Sequence, residues 1–268
     1  MKVIIKTIVL LLVAGSIQSC SLLGAAGITS QGQPTKKVEG KLVSTTTNSS
    51  VNVDHTIWDN LLRKYVNKEG LVDYEGFKKD FKTLEDYLKI LSTQDPNDDW
   101  SVPELLAYYI NSYNAYTVKL IVENYPVKSI KDIDGPWTKP YVPIDGREIT
   151  LATIENGVLR KMNEPRIHFA IACASMSCPP LLNEAYTAGK INEQLDRVTK
   201  DFINNEKFNE ISATNPKVSM IFKWYEKDYT VNGKKDVIGF INKYADTKIN
   251  ANAKLEYKNY DWDLNDQK

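Results

Sequence analysis

Apolar positions recur along most of this chain with a helical period. Beyond Asp54, residues Ile57, Trp58, Leu61, Leu62 and Tyr65 fall three and four apart, which predicts an amphipathic helix with Asp54 as its N-cap. The stretch Gly70-Leu71-Val72-Asp73-Tyr74 breaks it. Phe77, Phe81, Leu84, Tyr87, Leu88 and Leu91 predict a second amphipathic helix, and Asp95 to Asp99 reads as a loop. From Val102 to Asn124 the chain is apolar nearly all round its middle, which predicts a central buried helix. Ser101 before Pro103 and Glu104 suits a capped start, and Tyr125-Pro126 closes the segment.

The pattern then shortens. Tyr141 to Ile144 and Arg147 to Ile149 flank Asp145-Gly146, a hairpin signal. Thr150 to Met162 reads as helix, Ile167 to Ala172 as a short buried strand, and Ile191 to Asn204 and Lys235 to Tyr244 as helices. Lys217-Val218-Ser219 and Lys254 to Tyr257 are further strand candidates. Together these elements predict an α+β fold: a mainly helical single domain over residues 53–268, with a small sheet of short, mostly antiparallel strands.

The amino terminus has a different character. Lys2 and Lys6 precede an apolar core from Thr7 to Ala14 and the small residues Gly15, Ser16 and Ser19, the layout of a secretory signal over residues 1–19 that is too short to span a bilayer. Ile17-x-Ser19-Cys20 resembles a bacterial lipobox, which implies lipidation of Cys20; the plainer reading is an ordinary signal peptide with a cysteine nearby. Several acyl chains on Cys20 would anchor the protein stably to a membrane. Ser21 and Leu22 lack the aspartate of inner-membrane retention, so the expectation is the cell envelope, at the periplasmic face of the outer membrane. Residues 20–52 are rich in Ser, Thr, Gly and Asn and read as a flexible tether.

Charge excludes one class of partner. Thirty-four basic side chains balance 34 acidic ones, and loss of Lys2 and Lys6 with the leader tips the balance slightly acidic. No basic surplus favours nucleic acid.

Candidate chemistry concentrates in one run, Ile167 to Leu181. The chain has two histidines and three cysteines; His168, Cys173 and Cys178 all lie here, with Ser175 and Ser177 between the cysteines and Pro179-Pro180 at the end. Two arrangements account for such a cluster. In one, Cys173 and Cys178 form a disulfide that staples the turn, an option open to an exported protein. In the other, Cys178 is a nucleophile and His168 its base, since a thiol is mostly protonated at neutral pH without a basic neighbour. Ligand spacing among His168, Cys173 and Cys178 fits no common zinc pattern, so no metal or other cofactor is expected. The other histidine, His55, opens the first helix and reads as a surface or capping residue.

Several segments resemble the domain-of-unknown-function 547 family: Tyr108-Tyr109-Ile110-Asn111-x-Tyr113-Asn114-Ala115-Tyr116, Ile154-Glu155-x-Gly157-x-Leu159-Arg160, Pro165-Arg166-Ile167-His168-Phe169-Ala170, and Cys173-x-Ser175-x-Ser177-Cys178-Pro179-Pro180. Gly70 to Tyr74 and Tyr260-Asp261-Trp262 extend the resemblance to about Asp54–Asn265. The family name carries no activity; fusions of some relatives to glutaredoxin-like modules associate it with thiol chemistry. Many relatives have histidine where this chain has Asn156, which weighs against a scheme needing two histidines.

With these motifs the candidate site widens. Glu155, a carboxylate in an apolar helix, is the candidate to orient His168. Asn111 and Asn114, three apart on the buried helix, are candidates for the same task or for an oxyanion hole, with Ser175, Ser177 and Arg160 as substrate-binding groups; the commoner role of buried asparagines is to bond a neighbouring loop. Arg160 and Arg166 could pair with Glu155 or Asp132, or hold a substrate carboxylate. The aromatic residues Trp224, Tyr225, Tyr229 and Trp262 read first as core and rim; with Tyr108, Tyr109, Tyr113 and Tyr116 they could line a groove for a peptide, glycan or small molecule. Two functions therefore stand side by side: a cysteine-dependent hydrolase or acyl-transferase acting on an amide or thioester, and a non-catalytic envelope module with a structural disulfide. A thiol–disulfide protein is a third, although four residues separate the cysteines rather than two.

Overall fold

One long helix organises the domain. A computed structural model describes residues 26–44 and 51–268. The leader and Cys20 lie outside these residues. In chain order the helices are α1 (Thr56–Tyr65), α2 (Tyr74–Lys79), α3 (Phe81–Ser92), α4 (Val102–Asn124), α5 (Ile191–Asn204), α6 (Ile221–Trp224) and α7 (Val237–Tyr244). Helix α4 starts as its sequence predicts: Ser101 and Glu104 cap each other reciprocally, the Ser101 amide donating to Glu104 Oε2 at 2.8 Å. Its middle is buried on every side, with α2, α3 and α5 packed around it.

The expected second helix from Phe77 to Leu91 is two helices, because the chain turns at Asp80 between α2 and α3. Asp54 bonds the Thr56 amide at 2.8 Å, while His55 occupies the cap position of α1.

Strands are few and short. Strands β1 (Val142–Ile144) and β2 (Arg147–Ile149) form the expected hairpin, with both Asp145 and Gly146 at positive φ. Strand β3 (Lys217–Val218) pairs in parallel with β6 (Glu256–Tyr257), and β4 (Thr230–Val231) pairs antiparallel with β5 (Lys234–Lys235). The domain is a mainly helical α+β unit, with these strands in three separate pairs.

The run before the cysteines departs from its expected form. Pro165–Phe169 is a turn of 3-10 helix, not a strand. Proline at its first position and the Glu164 side chain bonded to the Arg166 amide set up a helical start. Local capping chemistry thus overrode an apolar pattern too short to distinguish the two states. Upstream, Thr153–Val158 is a π-helical widening and Leu159–Met162 a 3-10 turn. Such widenings often mark functional positions, and this one carries Glu155 and Asn156.

Residues 26–44 do not behave as the expected tether. They form a strap across the domain: Val38 and Leu42 are buried, Gln33 accepts a hydrogen bond from Tyr109 at 2.8 Å, and the Val38 amide donates to the Met162 carbonyl. Two glycines permit the close fit. A Cβ on Gly27 would sit 2.1 Å from the Ala152 carbonyl oxygen, and one on Gly157 would sit 2.3 Å from that of Thr29. The polar composition misled because a few apolar anchors and backbone bonds suffice when a finished surface receives them.

Candidate functional site

The two buried asparagines of α4 hold loops. Asn111 donates to the Tyr186 carbonyl at 2.7 Å and accepts from the Tyr186 amide at 3.0 Å. Asn114 does the same to the cysteine run, donating to Ala170 and accepting from Ala172, both at 2.9 Å. Their amides are spent on backbone, which fits the commoner role of buried asparagine.

Beyond Ala172 the chain enters the cysteine loop. Both cysteines are free thiols, with Cys173 half-buried and Cys178 buried. Their sulfurs lie 2.7 Å apart, and Cys178 Sγ also accepts from the Cys173 amide at 2.8 Å. Cys173 Sγ has two further neighbours, the hydroxyls of Tyr260 at 3.2 Å and Ser175 at 3.3 Å. The two thiols are driven apart electrostatically. The hydrogen bond with Cys178 pulls the Cys173 thiol below its ordinary range, whereas burial pushes Cys178 well above it. Between them Ala174 sits at φ 58°, a left-handed conformation unfavourable for a residue with a Cβ.

The C-terminal segment completes this loop. Met176 donates to the Asp263 carbonyl and Ser177 to that of Asp261; the Ser177 hydroxyl accepts from the Asp261 amide at 2.9 Å. Ser177 is thereby occupied, and Ser175 is the serine that stays beside the sulfur. Tyr260 belongs to an aromatic shelf with Trp224 and Trp262, ring centroids 4.6 to 5.9 Å apart, and Trp224 is 43% exposed.

His168 stands in a separate polar array. Its Nε2 bonds Asp228 Oδ2 at 2.8 Å, and its Nδ1 is buried without a hydrogen-bond partner, so neither ring nitrogen bonds a sulfur. Arg160 grips the same carboxylate with two nitrogens, at 2.6 and 3.0 Å, and donates to Asn156 Oδ1 at 2.8 Å. Burial alone would raise Asp228, but the bonds from His168 and Arg160 hold it at about 2. Burial lowers His168 despite the neighbouring carboxylate. The array lines a cleft of about 210 Å³ with Lys227, Glu164 and Thr230.

Glu155 joins the histidine array indirectly. It accepts from Tyr225 at 2.5 Å and from Tyr113 at 3.2 Å, and the Tyr225 ring stacks on His168 with centroids 3.9 Å apart. Glu155 therefore reaches His168 through an aromatic ring and not by a hydrogen bond. Of the aromatic residues read as a groove, Tyr108, Tyr109, Tyr113, Tyr116 and Tyr229 are buried. Arg166 pairs with Glu164 at 2.6 Å and Asp196 at 2.7 Å. His55 is half-buried, bonded to the Tyr87 hydroxyl at 2.8 Å.

Sequence reasoning missed Asp228 and Tyr260 as partners of the site. Both come from segments distant in the chain, and no local spacing connects them to His168 or Cys173. Among the described residues, no group of three or more His, Cys, Asp and Glu is placed to hold a metal ion, and no helix is long and apolar enough to cross a membrane.

Residues 97–203 match the family model described as "Protein of unknown function, DUF547". This segment belongs to the DUF547 family. It runs from just before α4 to nearly the end of α5, so the DUF547 match contains both clamping asparagines, Glu155, Arg160, His168 and both cysteines of the site. Asp228, Tyr225 and Tyr260 come from outside it. No curated protein and no solved structure matches the chain.

Proposed function

We propose that this chain is a lipid-anchored envelope protein whose DUF547 domain carries a dithiol centre for thiol–disulfide exchange. The observation that carries the reading is the pairing of a half-buried thiol, Cys173, with a buried thiol, Cys178, whose sulfur is 2.7 Å away. The attacking member of such a pair needs thiolate character and access, and the resolving member needs only to reach it.

In the forward direction the Cys173 thiolate attacks one sulfur of a substrate disulfide. The substrate S–S bond breaks, the departing thiolate takes a proton from solvent, and a mixed disulfide remains on Cys173. Cys178 then gives up its proton and attacks the Cys173 sulfur, releasing the second substrate thiolate. The products are a Cys173–Cys178 bridge and two substrate thiols. A dithiol reductant restores the pair, and the reverse sequence oxidises a substrate dithiol.

Acyl transfer from Cys178 with His168 as base is the weaker reading. Cys178 is the buried, proton-holding sulfur, and both His168 nitrogens are turned to other surroundings. The lipid anchor rests on the lipobox at Cys20.

Mass spectrometry after exposure to oxidised glutathione tests the exchange. Cys178→Ser should trap one glutathione on Cys173, while the parent protein should pass to an internal bridge. An adduct on Cys178 in the Cys173→Ser variant with none on Cys173 would overturn the assignment of roles. No adduct and no bridge in any form would overturn the dithiol function.

A further inference from the structure

We infer that residues 26–44 are a docking clamp that holds the strap-covered side of the domain, where Gly27 to Thr29 lie over Ala152 to Gly157, towards the lipid bilayer. This inference rests on the proposed lipidation of Cys20.

The argument begins with reach. Seven residue steps join Cys20 to Gly27, so even a fully extended chain spans about 25 Å. A free tether running to residue 53 would allow about 115 Å on the same scale. Which distance applies depends on whether the strap stays docked, and the strap is keyed at both ends. Gly27 lies against the Ala152 carbonyl with no room for a Cβ, and Thr29 lies equally close to Gly157. Arg147 donates to the Gln31 carbonyl at 2.6 Å. Lys36 Nζ bonds the Asp98 and Trp100 carbonyls, and at the far end the Ser44 hydroxyl donates to Glu193 and accepts from the Asn192 amide.

The strap's outer surface suits a lipid surface. Among the described residues, the two most exposed large apolar side chains are Val43 at 65% and Ile28 at 58%, and both stand on the strap. Lys37 and Lys41 are exposed on the strap near Val43, and Arg147 is exposed where it bonds Gln31, cations that complement phosphate-bearing headgroups, with Glu39 and Asp145 as acidic neighbours. Ile28 directly follows the keyed Gly27, so this apolar side chain stands within two residues of the point where the described strap begins.

The strap's first residues lie over part of the polar array. Asn156 adjoins Gly27 and bonds Arg160, which holds Asp228 and through it His168. A domain clamped this way works at the membrane surface instead of sweeping the space above it.

The test uses the full chain, lipidated at Cys20 and reconstituted in vesicles of phosphatidylethanolamine and phosphatidylglycerol. A photo-cross-linking phenylalanine analogue at Ile28 should label lipid. Inserting twenty Gly/Ser residues between Cys20 and Ala26 leaves the strap and domain intact but lengthens the link. It should cut the yield by about sevenfold, the loss of effective concentration expected for that length. Equal yields in both forms, or none in the parent, would overturn the clamp. Separately, a parent protein that carries no fatty acid by intact mass and fails to float with vesicles would overturn the lipidation reading beneath it. Gly27→Ala, which dislodges the strap without touching the core, should lower the yield in the same direction.

Discussion

The ring of Tyr225 lies flat against that of His168, with centroids 3.9 Å apart and planes 22° from parallel. Its hydroxyl donates to the carboxylate of Glu155, so one tyrosine connects the only histidine of the cysteine run with that acid. Tyr225→Phe keeps the stack and removes the bond, leaving Glu155 with Tyr113. Loss of this buried hydrogen bond should cost about 1 kcal/mol, read from urea denaturation. Tyr225→Ala should cost more, since the stack goes too. A Tyr225→Phe protein as stable as its parent would show that the Glu155 bond contributes nothing.

Asn114 offers a sharper case. Its side chain satisfies one carbonyl and one amide of the cysteine run at once. Asn114→Ala strands both inside the core, at about 3 kcal/mol in total. Asn114→Asp keeps the acceptor for Ala172 but sets a carboxylate against the Ala170 carbonyl, so it should not rescue. The same substitutions at Asn111 should act through Tyr186. Chemical denaturation of the four variants separates these outcomes.

Alkylation should distinguish the sulfurs by residue. At neutral pH iodoacetamide should modify Cys173 at least ten times faster than Cys178, because the thiolate fraction and the access both favour it. Peptide mapping after timed quenching reads the ratio. Equal rates, or faster labelling of Cys178, would remove the electrostatic basis for separate roles.

Ala174 holds a left-handed backbone between the two thiols. Ala174→Gly relieves that conformation at some cost in unfolded-chain entropy, and should stabilise the protein by up to about 1 kcal/mol, or some 2–4 °C in Tm. A calorimetric scan that shows a loss instead would mean the Ala174 methyl group contributes packing that outweighs the strain.

Acid should weaken the fold through its histidines. Burial lowers His55 to about 4, and lowers His168 as well. A histidine depressed in the folded state contributes fully above its unfolded pKa of about 6.5, and that contribution is lost as pH falls through the folded value. For His55 the loss between pH 6.5 and 4 is on the order of 3 kcal/mol. Urea midpoints at intervals across that range should fall steadily, and His55→Gln should flatten part of the slope. A stability independent of pH between 6.5 and 4 would refute the depressed pKa.

Much of this architecture was legible from pattern alone. Helix α4 and its capping box, helix α5 and the hairpin at Asp145-Gly146 announce themselves by period, cap and turn residues, all local signals. The arrangement around the candidate residues was not legible. His168 and Glu155 meet on Tyr225 and the cysteines form a loop of their own, and the partners of each group, Asp228, Tyr225 and Tyr260, are supplied from far along the chain. Nothing at Asp228 distinguishes it from other surface aspartates until Arg160 faces it. The strap failed for the opposite reason: its composition is that of a disordered segment, and what orders it is the surface beneath, which no local window contains.

The C-terminal segment that closes over the cysteine loop has a consequence for the order of events in folding. Residues 261–265 supply the backbone partners of Ala174, Met176 and Ser177, and Tyr260 supplies a hydroxyl beside Cys173. A chain made from its amino terminus presents both thiols more than eighty residues before those partners emerge. Contacts of such sequence separation form late. During that interval the cysteine loop lacks these backbone bonds and the Tyr260 hydroxyl beside Cys173. The loop that carries both sulfurs is thus completed only after the carboxyl-terminal segment has been made.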